Sequence, residues 1–422
     1  MARLLVLFVI GFVDMVGLTM ILPLLPFYAT DFGASALTVG LLISAFSVAQ
    51  LAVAPAWGRL SDRLGRRPAI LAGLVVTAAA YVVFAYAGSV TLLFFSRVVQ
   101  GVGGGTIGVV QAYVADASAP AQRTKSLGWL SAVTSLGAVA GPAFGSAMVA
   151  IGGRRGPGLA AAGLTVLVVI FAWRFLRESH AQRTPAAHAA TIPTSSRTAI
   201  IQVATRWREP ASRLIWIYAI AIGAFYGTIQ TVPLLLEARL AVTAQTVGYF
   251  IMYLGGMGVV VRAVVLGHLV DRLGEGRLSR LGIVLLAAGL ALTGVAPGGW
   301  ALLAGFTLMP LGTGLLFPCV TGLLSRVVPA GERGLYMGVQ HTFGGVSRVA
   351  FPILAGLLID GFGVGVPFWI SGALVLATLP LTQALSGYLA TEPPPMVRRM
   401  SAADVTGELL VDPEAEPPTP NP

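Results

Sequence analysis

Charge is scarce in this chain: Asp, Glu, Lys and Arg together make up 10% of its 422 residues, against roughly a quarter in soluble domains. Cys319 is the only cysteine, so no disulfide can form within the chain. No pair of Cys or His residues has metal-ligand spacing, and neither a metal nor any other cofactor is expected. No G-x-x-x-x-G-K-[ST] stretch occurs, which argues against a P-loop for ATP. A hydrolase or acyltransferase embedded in a membrane needs a nucleophile, a base and an orienting group close together. One Asp, one His and one Cys deep in the apolar runs leave no room for such a site, so the chain is not expected to be an enzyme.

Apolar surface, by contrast, is abundant, with hydrophobic residues making up 56% of the chain. A water-soluble fold cannot hide that much. A bilayer can, and it asks for about 20 apolar residues per helical span. Twelve apolar runs, from 4–28 through 366–389, predict an all-α membrane protein with twelve transmembrane helices. Met1-Ala2-Arg3 leads straight into the first run, which is too long for a signal-peptide core and reads as a retained span.

A net charge of +10 raises the question of nucleic acid. Its distribution points elsewhere. With the N-terminus in the cytosol, Arg154, Arg155 and Arg239 fall in outer segments and Arg97, Arg262 and Arg348 inside spans. All the other basic residues, of 27 in total, lie in cytosolic segments. This positive-inside bias predicts two cytosolic termini and makes a lipid bilayer, not nucleic acid, the partner. The Arg154–Arg155 pair breaks the pattern.

The halves of the chain repeat each other. Gly58, Leu60, Asp62, Arg63, Leu64 and Gly65 recur as Gly267, Leu269, Asp271, Arg272, Leu273 and Gly274, 209 positions later. Gly17 and Pro23 recur as Gly227 and Pro233, Thr38-Val39-Gly40 as Thr246-Val247-Gly248, and Pro142 as Pro352. Such symmetry marks transporter folds. The predicted organisation is a six-helix bundle over 1–177, a cytosolic linker over 178–213, a second six-helix bundle over 214–390 and a disordered cytosolic tail over 391–422. Within the linker, Ile200, Val203, Ala204 and Trp207 share one helical face, which suits a short helix lying on the membrane surface or an ordinary ordered linker.

Asp14 is the carboxylate deep in a span, where a charge is costly and a functional role is the default reading. Burial disfavours its charged form and a neighbouring cation favours it, so it is a candidate proton site. The alternative is a static ion pair. Arg97 lies at similar depth on the fourth span and is the expected partner. His341 is the other buried group that titrates near neutrality. Arg348, near mid-depth without an acidic mate, is a candidate substrate ligand, and Arg262 is placed to reach the cytosolic interface by snorkelling.

Four motifs now converge. They are Gly58-x-Leu60-Ser61-Asp62-Arg63-x-Gly65-Arg66-Arg67-Pro68, Arg97-x-x-Gln100-Gly101-x-Gly103, Gly137-x-x-x-Gly141-Pro142-x-x-Gly145, and Asp14-x-x-Gly17 with Pro23 and Pro26. Together they resemble the major facilitator superfamily, in the twelve-span drug:proton antiporter branch that includes the tetracycline exporters. Ser146 stands where that family often has a further Gly. The resemblance implies the major facilitator fold of two pseudo-symmetric six-helix bundles, in a monomer of a bacterial inner membrane. It implies export of a small molecule in exchange for protons by alternating access; a proton-coupled nutrient importer on the same fold is the alternative. It also implies a cavity lined by spans one, four, seven and ten, with Gln111, Tyr226, Gln230 and Thr307 as lining candidates. Asp62, Arg66 and Asp116 would form a cytosolic charge network in the outward-facing state. In the second copy Glu275 and Arg326 stand at the Arg66 and Asp116 positions with signs exchanged, and are expected to meet in at least one state.

Overall fold

The computed structural model describes residues 2–119, 122–176, 178, 196–329 and 332–383, and within these the regular secondary structure is all helical, joined by short turns. The first half runs α1 (Ala2–Ile21), a 3₁₀ turn (Leu22–Leu24), α2 (Leu25–Thr30), α3 (Ala36–Leu64), α4 (Arg66–Ala85), α5 (Val90–Gly104), α6 (Ile107–Asp116), α7 (Arg123–Gly152) and α8 (Gly156–Phe175). The linker contributes α9 (Ser196–Thr205). The second half runs α10 (Pro210–Leu240), α11 (Val247–Val260), a π segment (Val261–Val265), α12 (Leu266–Val295), α13 (Gly299–Val327), α14 (Arg333–Phe362), α15 (Val366–Leu376) and α16 (Leu379–Gln383). Among the described residues, nine stretches are long and apolar enough to cross a membrane. Lys125–Phe175 and Val247–Val295 hold two crossings each, and Val366–Thr382 is a shorter apolar stretch, which accounts for twelve.

Local chemistry sets the joints. Ser35 and Ser89 cap α3 and α5 by accepting from the backbone N–H of Thr38 and Leu92, each at 3.3 Å. Pro23 and Pro26 sit at the starts of the 3₁₀ turn and α2, where a missing N–H is harmless. The repeated motif turns on glycine in both halves: Gly65 has φ 104° and Gly274 has φ 74°. Side chains rarely adopt that conformation, which is why both copies keep Gly there. The fourth span breaks between α5 and α6 at Gly105-Thr106.

Among the described residues, the two halves pack on each other chiefly at one end of the molecule. At the end away from the 58–68 turn, α3 packs on α14 and α7 on α11. Gly40 lies against the Pro352 carbonyl, and Gly248 lies against the Pro142 carbonyl. One apolar core runs through this far end and on through the second half. A second core, of Leu7, Ile10, Trp57, Ile70, Tyr113 and neighbours, belongs to the first half alone, at the motif end. Gly58 and Gly267, at that end, face open space. The cleft between the halves is therefore open at the motif end and shut at the far end.

Hydrogen bonds hold the far end closed, as they must where lipid supplies no hydrophobic drive. Asp360 on α14 accepts from the N–H groups of Ala36 and Leu37 on α3, both at 2.9 Å. A carboxylate at a helix N-terminus also gains from the helix dipole. Ser44 donates to the Val349 carbonyl at 2.7 Å. On the other side, Ser146 of α7 donates to the Ala244 carbonyl at 2.7 Å and accepts from Gly248 N–H at 2.9 Å. Asp360→Ala is expected to favour opening of the far end. Charge-assisted bonds contribute about 1.5–3 kcal/mol each when buried, and Asp360 is exposed, so about 1.4 kcal/mol, or tenfold in the closed-to-open ratio, is the expected scale. Spin labels at positions 34 and 361 would report it as a larger long-distance population; an unchanged distribution would deny Asp360 a latching role.

The outer arginines that broke the charge pattern are all engaged. Arg154 donates to the Tyr28 carbonyl at 3.1 Å, stacks on Phe32 at 4.0 Å and pairs with Asp31 at 3.6 Å. Arg155 stacks on Tyr86 at 5.0 Å. Arg239 donates to the Thr293 and Ala296 carbonyls at 2.9 and 2.6 Å, closing the end of α12. In the linker, α9 buries Ala199 and Val203 and receives Trp216 Nε1 on the Val203 carbonyl at 3.2 Å, while Trp207 and Ala204 stay exposed. It thus packs against α10 and α14 through a narrower stripe than the one predicted. The rest of the linker up to residue 195, the last part of the twelfth span and the 391–422 tail lie outside the described residues.

Candidate functional site

A cavity of about 280 Å³ lies between the halves. Thr19 and Pro23 from the first span, Ser135 and Pro142 from α7, Tyr226 and Gln230 from α10, Arg262 from the π segment and Thr313 from α13 line it. A second cavity, of about 340 Å³, lies within the first half and holds Asp14, with Gln111, Thr106, Ser131 and Thr134 as polar neighbours. Asp14 and the central cavity are thus in adjoining chambers. Two helices serve both: α1 supplies Asp14 to one and Thr19 to the other, and α7 supplies Ser131 to one and Ser135 to the other.

The expected ion pair between Asp14 and Arg97 is not formed. Asp14 has no salt bridge or hydrogen bond among the described residues. Arg97 is buried, donates to the Gln100 carboxamide oxygen and lays its guanidinium over the Phe46 ring, 4.7 Å from the centroid. The reason is helix adjacency: α5 packs on α3 and α4, while α1 packs on α7 and α8. Equal depth did not bring the side chains to one face. Tyr81 is buried in the same region, near Asp14, Gln100 and Arg97. Nε and Nη2 of Arg97 and the Tyr81 hydroxyl have no hydrogen-bond partner in this arrangement. Orphaned buried donors are expensive, so this cluster is poised for water or for rearrangement.

In the second half, Arg348 lies over the Tyr226 ring, 5.2 Å from its centroid, and the His341 ring is edge-on to Tyr218 at 6.5 Å. His341 is exposed to the open cleft and not buried as predicted, because the halves have parted at its level. Arg262 is exposed and lines the central cavity. Thr307 is held elsewhere, by the Tyr253 hydroxyl at 2.8 Å and the Leu303 carbonyl at 2.7 Å, and does not line the central cavity. Of the other lining candidates, Tyr226 and Gln230 line that cavity and Gln111 lines the Asp14 chamber.

At the motif turn, Arg66 bonds Asp62 at 3.1 Å, Asp116 at 3.3 Å and the Ser61 hydroxyl at 3.0 Å. The resemblance associated this network with the outward-facing state, yet it is intact while the motif end stands open. All three charges belong to one half, so parting the halves leaves them together. Glu275 and Arg326 meet at 3.1 Å, the sign-exchanged copy expected from the repeat. Arg63 and Asp271 are exposed and make no ion pair among the described residues. Gly137, Gly141 and Gly145 form the seat of α1 on α7: their missing side chains admit the backbone or side chains of Phe12, Met15, Val16, Thr19 and Met20.

Sequence reasoning missed Glu178. Its carboxylate accepts from Arg66 N–H at 2.7 Å and Arg67 N–H at 3.2 Å, capping α4 from the start of the linker. Glu178→Ala is expected to cost about 1 kcal/mol, the typical worth of a helix N-cap. Faster hydrogen exchange at Arg66 and Arg67 would show it; unchanged exchange would deny the cap a role. Tyr81, Ser146 and Asp360 were missed as well. Only Ser146 carried a signal, as a departure from the family pattern.

A family model described as Major Facilitator Superfamily matches residues 7–291 and 259–413. The chain is 27% identical over 373 residues to Multidrug resistance protein 2 of Bacillus subtilis (strain 168), covering 88% of this chain and 92% of that protein. It is 30% identical over 353 residues to the class D tetracycline resistance protein of Salmonella ordonez, covering 82% and 86%. Among solved structures, a bacterial homologue of the human lysosomal transporter Spinster, in an inward-facing and occupied conformation, superposes with a TM-score of 0.74 at 14% identity, covering 91% of this chain and 96% of that one. With twelve apolar helical crossings in two related halves around a central cavity, this chain belongs to the Major Facilitator Superfamily of membrane transporters.

Proposed function

We propose that the protein exports a small organic molecule in exchange for protons, by alternating access, from the cytosolic side of a bacterial inner membrane. The carrying observation is Asp14: a carboxyl group inside the first bundle, without an ion pair among the described residues, lining a mostly apolar chamber that also holds Thr106, Gln111, Ser131 and Thr134. The cost of a charge there depends on whether water fills the chamber. A conformational change that wets and dries the chamber therefore takes up and releases a proton. With the motif end in the cytosol, the cleft is inward-facing, ready to load cargo.

Because proton and cargo occupy different chambers, their exclusion is indirect in this reading. A shift of α1 on its glycine seat along α7 changes both chambers together. Similarity to multidrug and tetracycline resistance proteins supports export over uptake, as does the glycine-proline motif of α7. Arg97 and Tyr81 rearrange as the acid titrates, and His341 sits at the cytosolic mouth.

The test uses purified full-length protein in proteoliposomes, with tetracycline as the first cargo probe and a series of antibiotics and dyes behind it. An imposed proton gradient should drive cargo against its own gradient, with proton movement in the opposite direction. Cargo and protons moving together would replace antiport by the importer alternative.

A further inference from the structure

We propose that the central cavity takes cargo bearing a carboxylate or similar anionic group, with Arg262 as its charge partner and Arg348 as a second cation beside it. The inference rests on the reading that this cavity holds cargo. Arg262 lies in the π segment, a widened turn of the kind found at functional sites. Gly314 on α13 makes room for it: a Cβ there would meet Val261 at 2.7 Å and approach Cγ of Arg262 at 3.9 Å. The position thus depends on an irregular turn and on a missing side chain opposite. Neither is required for ordinary helix packing.

Nothing in the wall neutralises this charge. No Asp or Glu lines the cavity. The described acids of the second half, Glu209, Glu237, Asp271, Glu275, Glu332 and Asp360, all lie near helix ends or in the motif turn, away from the cavity. Neither Arg262 nor Arg348 forms a salt bridge among the described residues. Arg348 lies against Tyr226, itself a wall residue, and its Nε is buried without a partner. Tyr218 stands within hydrogen-bonding reach of Arg348, and stacking on a ring leaves the remaining in-plane N–H groups of the guanidinium able to fork onto a carboxylate. Arg262 is exposed and Arg348 half-buried, and a bound anion would offset the cost of holding two cations at membrane depth. Beside the polar Thr19, Ser135, Gln230 and Thr313, most of the wall is apolar or aromatic, including Phe225, Ile251 and Leu254, which suits an aromatic or aliphatic body behind the charged group.

Three compounds of one shape separate charge from fit: 1-naphthoate, 1-naphthamide and 1-naphthylmethylammonium. Equilibrium dialysis with purified full-length protein in detergent should show naphthoate binding at least tenfold more tightly than the amide, with the ammonium weakest. Arg262→Gln should bring naphthoate and amide together, Arg262→Lys should restore part of the difference, and Arg348→Gln should reduce it. Naphthoate failing to bind, binding no better than its analogues, or keeping its advantage in the monodisperse Arg262→Gln variant would overturn the proposal. Asp14→Asn should keep the preference, since Asp14 does not line this cavity. Loss of proton coupling with the preference intact would therefore leave this inference standing. Loss of the preference with proton-driven transport intact would remove this inference alone.

Discussion

Asp14→Asn is expected to abolish proton-driven accumulation of cargo, by at least a hundredfold, while leaving cargo-for-cargo exchange in place. Asn has nearly the shape of a protonated Asp and cannot release a proton. The chamber around residue 14 offers it polar company in Gln111, Ser131 and Thr134, so the bundle should tolerate the change. Because no cation faces Asp14, its removal orphans no buried charge, which is the usual reason such substitutions unfold a protein. A carrier fixed in the neutral form should still alternate, since the latches at Asp360 and Ser146 are untouched. Counterflow in proteoliposomes without a pH gradient measures the retained step, and uptake under an imposed gradient measures the lost one. If the variant still concentrates cargo at the expense of a proton gradient, the proton is carried elsewhere and Asp14 is only a helix-packing residue.

Gly248→Val is expected to stop both steps. The Gly248 backbone lies against the Pro142 carbonyl, and its N–H bonds the Ser146 hydroxyl. A β-branched side chain must push α7 and α11 apart, and overpacking of this kind costs about 1–3 kcal/mol. The separation also breaks the Ser146 bonds to Ala244 and Gly248. The far end can then no longer seal, and alternation fails. Gly40→Val, facing the Pro352 carbonyl across the other contact, should reproduce the defect because the halves repeat. Counterflow separates these variants from Asp14→Asn: it survives in the latter and is lost here. Near-normal counterflow in a properly inserted Gly248→Val protein would mean that the far end need not close as tightly as described.

Much of this architecture could be read from residues. Twelve spans follow from apolar runs, and the two-fold organisation follows from Gly58–Gly65 recurring as Gly267–Gly274. The Glu275–Arg326 pair was legible because a repeat carries positions across with their geometry. Azimuth was not legible. Depth along a helix follows from counting residues, but the neighbour a side chain meets depends on how helices are arranged around the bundle. That is why Arg97 is on Phe46 and not on Asp14, and why Thr307 is on Tyr253 and not at the cavity. The state of opening was equally hidden, so His341 was expected to be buried where it faces a cleft. The π segment at Arg262 and the Asp360 latch gave no signal, since an ordinary helix and a solvated acid would be written with the same letters.

The placing of Asp14 and of the Tyr226–Arg262 wall in different halves of the molecule bears on how such a protein can change over generations. In the proposed scheme, substitutions that reshape the pocket around Tyr226 and Arg262 need not disturb Asp14, the acid assigned to proton coupling. A lineage can therefore trade one compound for another while its engine stays as it was. The price of that freedom is slippage: with no shared binding point to enforce strict exchange, an occasional cycle should run empty.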